Sequence, residues 1–164
     1  MPIDLISFNG ISCPAWQATG NASRFIIPFA LEVCKGVGYD LGCNREEWKL
    51  PNAMAWDISI EPRQDALKLP ELMVDFIFSS HCLEHLPNWV DALEHWGSRL
   101  KSKGVLFLYL PHYDSQYWRS WNNRKHIHNL NAETIIDYLK DRAYKNIFST
   151  GVDLNNSFAV IAEK

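Results

Sequence analysis

Long hydrophobic runs are missing from this sequence, and cysteine is sparse. No stretch of its 164 residues approaches the roughly 18 consecutive apolar residues of a membrane span. The first residues, MPIDLISFNG, show no basic segment before an apolar run, so we predict neither a signal peptide nor a membrane span. The four cysteines form no CxxC pair and no dense framework, which predicts reduced thiols and a cytoplasmic protein.

An excess of positive charge is also absent. Sixteen Lys and Arg stand against nineteen Asp and Glu, for a net charge of −3. This balance argues against a nucleic-acid backbone or an anionic membrane as the main partner. It does not exclude a nucleotide or a sugar, and it indicates no oligomeric state.

The composition and the pattern of apolar residues predict one α/β domain over 1–164. Hydrophobic residues make up 47% and charged residues 21%, as in a soluble globular protein. Short apolar runs alternate with amphipathic segments, the pattern of a sheet covered by helices. We predict strands over 38–42, 53–60, 74–80, 105–110, 145–150 and 157–163, and helices over 22–34, 89–100 and 132–139. Residues 1–20 are predicted to be irregular.

Two acidic residues follow a pattern that is typical of nucleotide-binding sheets. Asp40 and Gly42 lie at the end of the first predicted strand, and Asp57 lies 17 residues after Asp40 at the end of the second. A glycine turn brings backbone N–H groups close to a ligand, and the later carboxylate can accept both hydroxyls of a ribose. The alternative is a tight turn without a ligand, with Asp57 as a surface cap.

The third candidate site directly follows the strand predicted over 74–80. His81, Glu84 and His85 match the HxxEH spacing of inverted zinc peptidases, in which both histidines share one helical face and Glu is the general base. The other interpretation is a simple turn from strand to helix. We expect no metal, because a strand is predicted to lead straight into the motif and no third ligand is indicated.

The fourth candidate site is the loop 111–128, which follows the most apolar predicted strand and is rich in histidine and aromatic residues. Aromatic walls with a few polar groups are typical of a small-molecule pocket. The alternative is a packed loop in which Trp118 and Trp121 only cover the core.

These sites, in this order, resemble a class I, Rossmann-like, S-adenosylmethionine-dependent methyltransferase, specifically a small single-domain member. The resemblance covers roughly residues 35–164, after an N-terminal extension and helix over 1–35. The matching motifs are Gly38-Tyr-Asp-Leu-Gly-Cys43, Ala55-Trp-Asp-Ile-Ser59, Asp65-Ala-Leu-Lys-Leu-Pro70, the Asp75 to Leu86 segment containing Leu83-Glu84-His85, Leu100-Lys-Ser-Lys-Gly-Val-Leu106 and Phe158-Ala-Val-Ile-Ala162.

The resemblance implies a seven-strand sheet, mostly parallel, with a C-terminal antiparallel hairpin. It implies S-adenosylmethionine as cofactor, bound by Asp40, Gly42, Cys43, Asn44, Asp57, Ile58, Asp65, Ala66, Ser80 and His81. The methyl acceptor would be an unidentified small molecule or a saccharide or nucleotide type of compound, in a pocket formed by Tyr113, Trp118 and Trp121. The candidates for a catalytic base are His112, His85 and His126, since histidine titrates near neutral pH.

The sequence departs from the family pattern in the loop after Gly42. Asn44 occupies the second glycine position, where it tolerates a left-handed backbone, and Glu46 occupies the third. Pro51 follows so soon that the first helix must be shortened. The loop could bind the cofactor differently, leave an open pocket, or have lost cofactor binding. The alternative functions are therefore a catalytically silent methyltransferase-like binding domain and a zinc hydrolase that uses HxxEH.

Overall fold

The structure is a computed structural model, and it describes residues 3–119 and 121–164. Its strands are β1 (Leu5–Phe8), β2 (Ile11–Pro14), β3 (Gly38–Leu41), β4 (Ala53–Trp56), β5 (Val74–Ser80), β6 (Leu100–Pro111), β7 (Lys145–Ser149) and β8 (Ser157–Glu163). Its helices are α1 (Ala15–Thr19), α2 (Ser23–Val33), α3 (Trp89–Arg99) and α4 (Ala132–Asp141). Within the described ranges, no helix is both long and apolar enough to cross a bilayer.

Six strands form the central sheet, in the order β4-β3-β5-β6-β8-β7. The pairs among β4, β3, β5 and β6 are parallel, whereas β8 pairs antiparallel with both β6 and β7. This confirms the mostly parallel α/β sheet with an antiparallel C-terminal hairpin. The expected strand number is not matched, because the described residues of this sheet form six strands rather than seven. Residues 57–73, which join β4 to β5, form no strand.

The central strands are buried on both faces, which explains their continuous apolar sequences. On one face Phe76, Phe78 and Phe107 pack in a cluster with α2. On the other face Leu106 and Leu108 belong to a larger cluster with α3 and α4. Alternate residues of each strand therefore supply two separate cores.

Several predicted boundaries change: β6 begins at Leu100 rather than at 105, and two further changes have identifiable reasons. The helix predicted over 22–34 spans Ser23–Val33 and continues through Pro28, which removes one helical N–H donor without ending the helix. The strand predicted over 53–60 ends at Trp56. It ends there because the Asp57 carboxylate accepts the backbone N–H of Ser59 at 2.7 Å and forms a turn.

The prediction that residues 1–20 are irregular is wrong for the described residues from position 3 onward. β1 and β2 form an antiparallel hairpin, and α1 follows directly. Asn9 and Gly10 make the turn with φ of 48° and 77°, the backbone that a two-residue hairpin turn requires.

The shortened first helix is confirmed. Between β3 and β4 the chain forms only a three-residue 3-10 turn, Glu46–Trp48. The strand ends that face this loop are therefore covered by little regular structure. This leaves space at the carboxyl edge of the sheet.

Replacing Phe107 by Ala tests the double-sided core. Phe107 is completely buried in the middle of β6, so we expect the unfolding free energy to fall by about 3–5 kcal/mol in urea denaturation. Phe148 of β7 is 53% exposed, and Phe148→Ala should cost much less, about 1 kcal/mol or below. Equal losses for the two variants would contradict the assignment of β6 to the centre.

Candidate functional site at the carboxyl edge of the sheet

The carboxyl ends of β3, β4 and β5 meet around a cavity of about 450 Å³. The three strands are neighbours, so Gly42, Asp57 and Ser80, which lie at or just after their ends, face the same space. This is the edge at which ligands bind in open α/β sheets. Among the predicted cofactor-binding residues, those that line the cavity are Gly42, Cys43, Asn44, Asp57, Ile58, Asp65, Ala66, Ser80 and His81.

The turn after β3 depends on a glycine. Gly42 has φ of 79°, and a Cβ there would lie 2.4 Å from Cβ of Cys82. Any side chain would therefore strain the backbone and collide with the segment after β5. The glycine brings the two segments together, and its own backbone lines the cavity.

Asn44 and Asp57 connect the loop after β3 with the end of β4. Asn44 has φ of 65°, so it keeps the left-handed backbone expected at the second glycine position. Its backbone N–H donates to Oδ2 of Asp57 at 2.8 Å, while Oδ1 of Asp57 accepts from Ser59. Each carboxylate oxygen has a second lone pair, so Asp57 can still accept two hydroxyl donors.

Asp65 and Ala66 form another wall of the cavity. Trp56 donates its indole N–H to the carbonyl of Asp65 at 2.9 Å, and Trp96 donates to the carbonyl of Ala66 at 2.8 Å. Oδ1 of Asp65 accepts the backbone N–H of Leu67, which closes a tight turn. Two indole rings therefore hold this irregular segment against the sheet.

Asp40 does not line the cavity, contrary to its predicted role at the cofactor. Its side chain is buried beneath the loop, where Oδ2 accepts the backbone N–H of Leu50 at 2.8 Å and Oδ1 has no hydrogen-bond partner among the described residues. Burial raises the pKa of Asp40 to about 7, although the Leu50 hydrogen bond opposes the shift. The Asp40 side chain therefore stabilises the shortened loop through its hydrogen bond to Leu50.

The sequence analysis missed the contribution of the N-terminal segment to the cavity. Gln17, Thr19 and Gly20 line it from α1 and the end of α1. The Gln17 amide is buried, donating to the Asn155 carbonyl and to the Ser157 hydroxyl and accepting the indole N–H of Trp118. No periodic pattern marks these residues, because their contacts are with the other end of the chain.

Three histidines surround the buried carboxyl of Glu84. Nδ1 of His81, Nε2 of His85 and Nε2 of His126 lie 3.9, 3.8 and 3.4 Å from its Oε1 atom. Burial lowers the pKa of His81 to about 3, lowers those of His85 and His126, and raises that of Glu84 to about 8. These contacts are therefore not ordinary ion pairs, since the imidazoles are uncharged at neutral pH.

The predicted catalytic and acceptor residues lie at three places: at or beside the cavity, at a second hollow, and on the exposed surface. His85 and Trp118 line the cavity, and His126 stacks on Trp118 with 3.4 Å between ring centroids but does not itself line it. His112 lines a different hollow of about 290 Å³, and Tyr113 and Trp121 are exposed and line neither. Of the three predicted acceptor residues, the loop therefore places only Trp118 at the cavity.

The α-helix required by the zinc-peptidase interpretation is not formed. β5 runs to Ser80, His81 follows with φ of 50°, and Leu83–His85 is only a 3-10 turn. His81 and His85 are therefore not presented on one helical face.

A family model described as a methyltransferase domain matches residues 18–148. The chain belongs to this methyltransferase family. S-adenosylmethionine is the cofactor expected for the family. The match begins in α1, so it includes part of the N-terminal segment that borders the cavity. No curated protein matches the chain in sequence.

The methyltransferase fold is also found among solved structures. An S-adenosylmethionine-dependent methyltransferase from Archaeoglobus fulgidus is 18% identical, with a TM-score of 0.67 over 92% of this chain and 95% of that chain. The N-methyltransferase NodS from Bradyrhizobium japonicum is 18% identical, with a TM-score of 0.63 over 87% and 96%. The 1,6-didemethyltoxoflavin N1-methyltransferase from Burkholderia thailandensis is 14% identical, with a TM-score of 0.68 over 92% and 81%. At these identities the similarity shows the fold.

Replacing Asp40 by Asn tests the burial of its carboxyl group. Its folded pKa of about 7 lies above its ordinary value of 3.8, so the folded chain retains a proton that the unfolded chain releases. Asp40 therefore lowers stability progressively as the pH rises from about 4 to 7. We expect the stability of Asp40→Asn relative to wild type to increase over this window, by up to about 4 kcal/mol. Urea unfolding at several pH values measures this difference, and parallel pH profiles for the two proteins would contradict it.

Proposed function

We propose that the chain binds S-adenosylmethionine in the cavity at the ends of β3, β4 and β5 and transfers its methyl group to a small-molecule acceptor. The observation that carries the proposal is the convergence of nine of the ten residues predicted from the family motifs on this one cavity. The Burkholderia neighbour, which holds S-adenosylhomocysteine and 1,6-didemethyltoxoflavin, supports a small-molecule acceptor.

The residues at the edge of the sheet suit an adenosyl group. Gly42 presents only backbone atoms, because a Cβ there would collide with Cys82. Asp57 has free lone pairs for ribose hydroxyls, and the buried Ser80 hydroxyl has no hydrogen-bond partner within the described part of the chain. The volume lies within the range of about 300–1,000 Å³ that is usual for ligand pockets. We assign the ribose to Asp57 and the adenine side to Ile58, Asp65 and Ala66.

The opposite wall has the composition of an acceptor site. Tyr117, Trp118, His85 and Lys125 line it, so aromatic surface is combined with two polar groups. Aromatic faces suit a planar ring or a sugar, and the polar groups would orient it. The N-terminal segment with Gln17 lies beside this wall and helps to exclude water.

Methyl transfer requires mainly that the protein align the acceptor with the methyl group. When bound, S-adenosylmethionine supplies a methyl group on a positively charged sulfur. The chain holds the acceptor against the cavity wall and shields both partners from water, which lowers the entropic part of the barrier. Among the three predicted bases, His85 lines the cavity, so we keep it as the candidate for receiving an acceptor proton.

A silent binding domain is the second candidate, and two observations favour it. Asn44 replaces a family glycine, and the helix after the loop is reduced to three residues. A silent domain would bind the cofactor or its product without turnover. Formation of S-adenosylhomocysteine from S-adenosylmethionine with a panel of planar and saccharide acceptors separates the two candidates.

Asp57→Asn tests the cofactor site. The amide keeps the size of the side chain but loses the charge and one acceptor oxygen, so we expect S-adenosylhomocysteine to bind at least about tenfold more weakly in calorimetry. Asp91→Asn, on the exposed surface of α3, serves as the matched control and should bind as wild type does. If Asp57→Asn binds as tightly as the control while folding normally, the ribose is not held there.

A further inference from the structure

The buried cluster of His81, Glu84 and His126 lies outside the proposed cofactor contacts, apart from His81 at the cavity wall. Glu84 and His126 are 1% and 6% exposed, and the side chain of His81 is 8% exposed. One ligand-type atom from each residue lies within 4.8 Å of the other two. Two elements form the cluster: the turn after β5 and the loop that follows β6.

Four polar side-chain atoms of this cluster form no hydrogen bond within the described residues. Both carboxylate oxygens of Glu84, Nδ1 of His81 and Nε2 of His126 lack partners within the described chain. Buried polar side-chain atoms are normally paired, so four orphans at one point require an explanation. Burying a carboxyl group without a hydrogen-bond partner is costly, so this arrangement favours a ligand between the three side chains.

The hydrogen bonds around His81 are compatible with a free Nδ1 atom beside Glu84. The Ser157 hydroxyl donates to the carbonyl of Asn155 at 3.0 Å. Its oxygen accepts from the Gln17 amide and, when His81 carries its proton on Nε2, also from Nε2 of His81, 2.8 Å away. With the proton on Nε2, the lone pair of Nδ1 faces the Glu84 carboxyl. An outer hydrogen bond that fixes the tautomer of an imidazole in this way is typical of metal-binding histidines.

We propose that His81, Glu84 and His126 bind one divalent transition-metal ion of the zinc type. Two imidazoles and a carboxylate are the ligands that zinc prefers, whereas magnesium and calcium favour oxygen ligands throughout. The ligand atoms of His81 and His126 lie 3.9 and 3.4 Å from Oε1 of Glu84. Ligands at about 2.1 Å in tetrahedral geometry are separated by about 3.4 Å, so small side-chain adjustments complete the site.

The ion would leave at least one coordination position for another ligand. Three protein ligands are typical of open zinc sites. His81 lines the cavity, so the open position would be close to the proposed methyl-transfer site. Metal binding itself does not depend on the proposed function, because none of these three residues is assigned to the ribose or the adenine.

Metal titration of the full chain tests the proposal. After treatment with a chelator, the protein is titrated with ZnCl₂ by calorimetry, and bound metal is counted by elemental analysis after desalting. We expect one zinc per chain and a higher melting temperature with Zn²⁺ than with Mg²⁺. Glu84→Gln and His126→Gln should each weaken zinc binding at least about a hundredfold. The matched controls, Glu133→Gln and His112→Gln, change residues outside the cluster and should bind as wild type does.

Cobalt substitution provides a second readout that does not depend on activity. Co²⁺ in the site should show visible absorption bands of a low-coordinate ion, and His126→Gln should lose them even if Glu84→Gln does not fold.

No zinc uptake by the wild-type chain, or equal uptake by the cluster variants and the controls, would overturn the proposal. In that case the cluster holds a proton on Glu84, whose pKa is raised by burial. S-adenosylhomocysteine binding, measured separately with Asp57→Asn, distinguishes failure of the metal site from failure of the cofactor site.

Discussion

The contact between Gly42 and Cys82 is the constraint on which the site depends. The turn after β3 and the segment after β5 approach so closely that no side chain fits between them. Cys82 lies between His81 and Leu83, so the same contact fixes the start of the 3-10 turn that carries Glu84. One backbone approach therefore sets the position of the proposed cofactor loop and of the histidine cluster together.

Two buried carboxyl groups, those of Asp40 and Glu84, flank this contact and differ in their hydrogen bonds. Asp40 accepts a backbone N–H from Leu50 and thereby closes the loop that replaces a full helix. Both oxygens of Glu84 lack a hydrogen-bond partner among the described residues, although its backbone carbonyl accepts from Ile127 and His128. An acid that closes a loop is explained by folding, since burial is partly offset by the hydrogen bond. For the Glu84 carboxyl only its own backbone N–H opposes the rise of the pKa caused by burial, which is why we propose a cation beside it.

The sequence predicts the central strands well because they obey a simple rule. β5 and β8 have the expected bounds, since continuous apolar runs can only be buried between two helical layers. β1 has no such signal, because its residues are largely exposed and show no alternation. The Asn9-Gly10 dipeptide, which lies between apolar residues on both sides, is a hairpin signal that the prediction of an irregular segment missed. Similarly, the end of β4 depends on a local side-chain hydrogen bond rather than on hydrophobicity.

The same distinction applies to the site. Residues at strand ends, such as Gly42, Asp57 and Ser80, could be predicted together because parallel neighbouring strands must end at one edge. Gln17 could not be predicted, and His126 could be named only as a candidate base and not as a neighbour of Glu84, since the partners of both residues lie far away in the chain and periodicity carries no information about them. The HxxEH spacing could not define this site from the sequence, because the proposed ligands are His81, Glu84 and His126 rather than both histidines of the motif. The loop that carries His126 is held beside the turn by the backbone N–H groups of Ile127 and His128, which donate to the carbonyl of Glu84, so the residue with the buried carboxyl also fixes the position of a nitrogen ligand beside it.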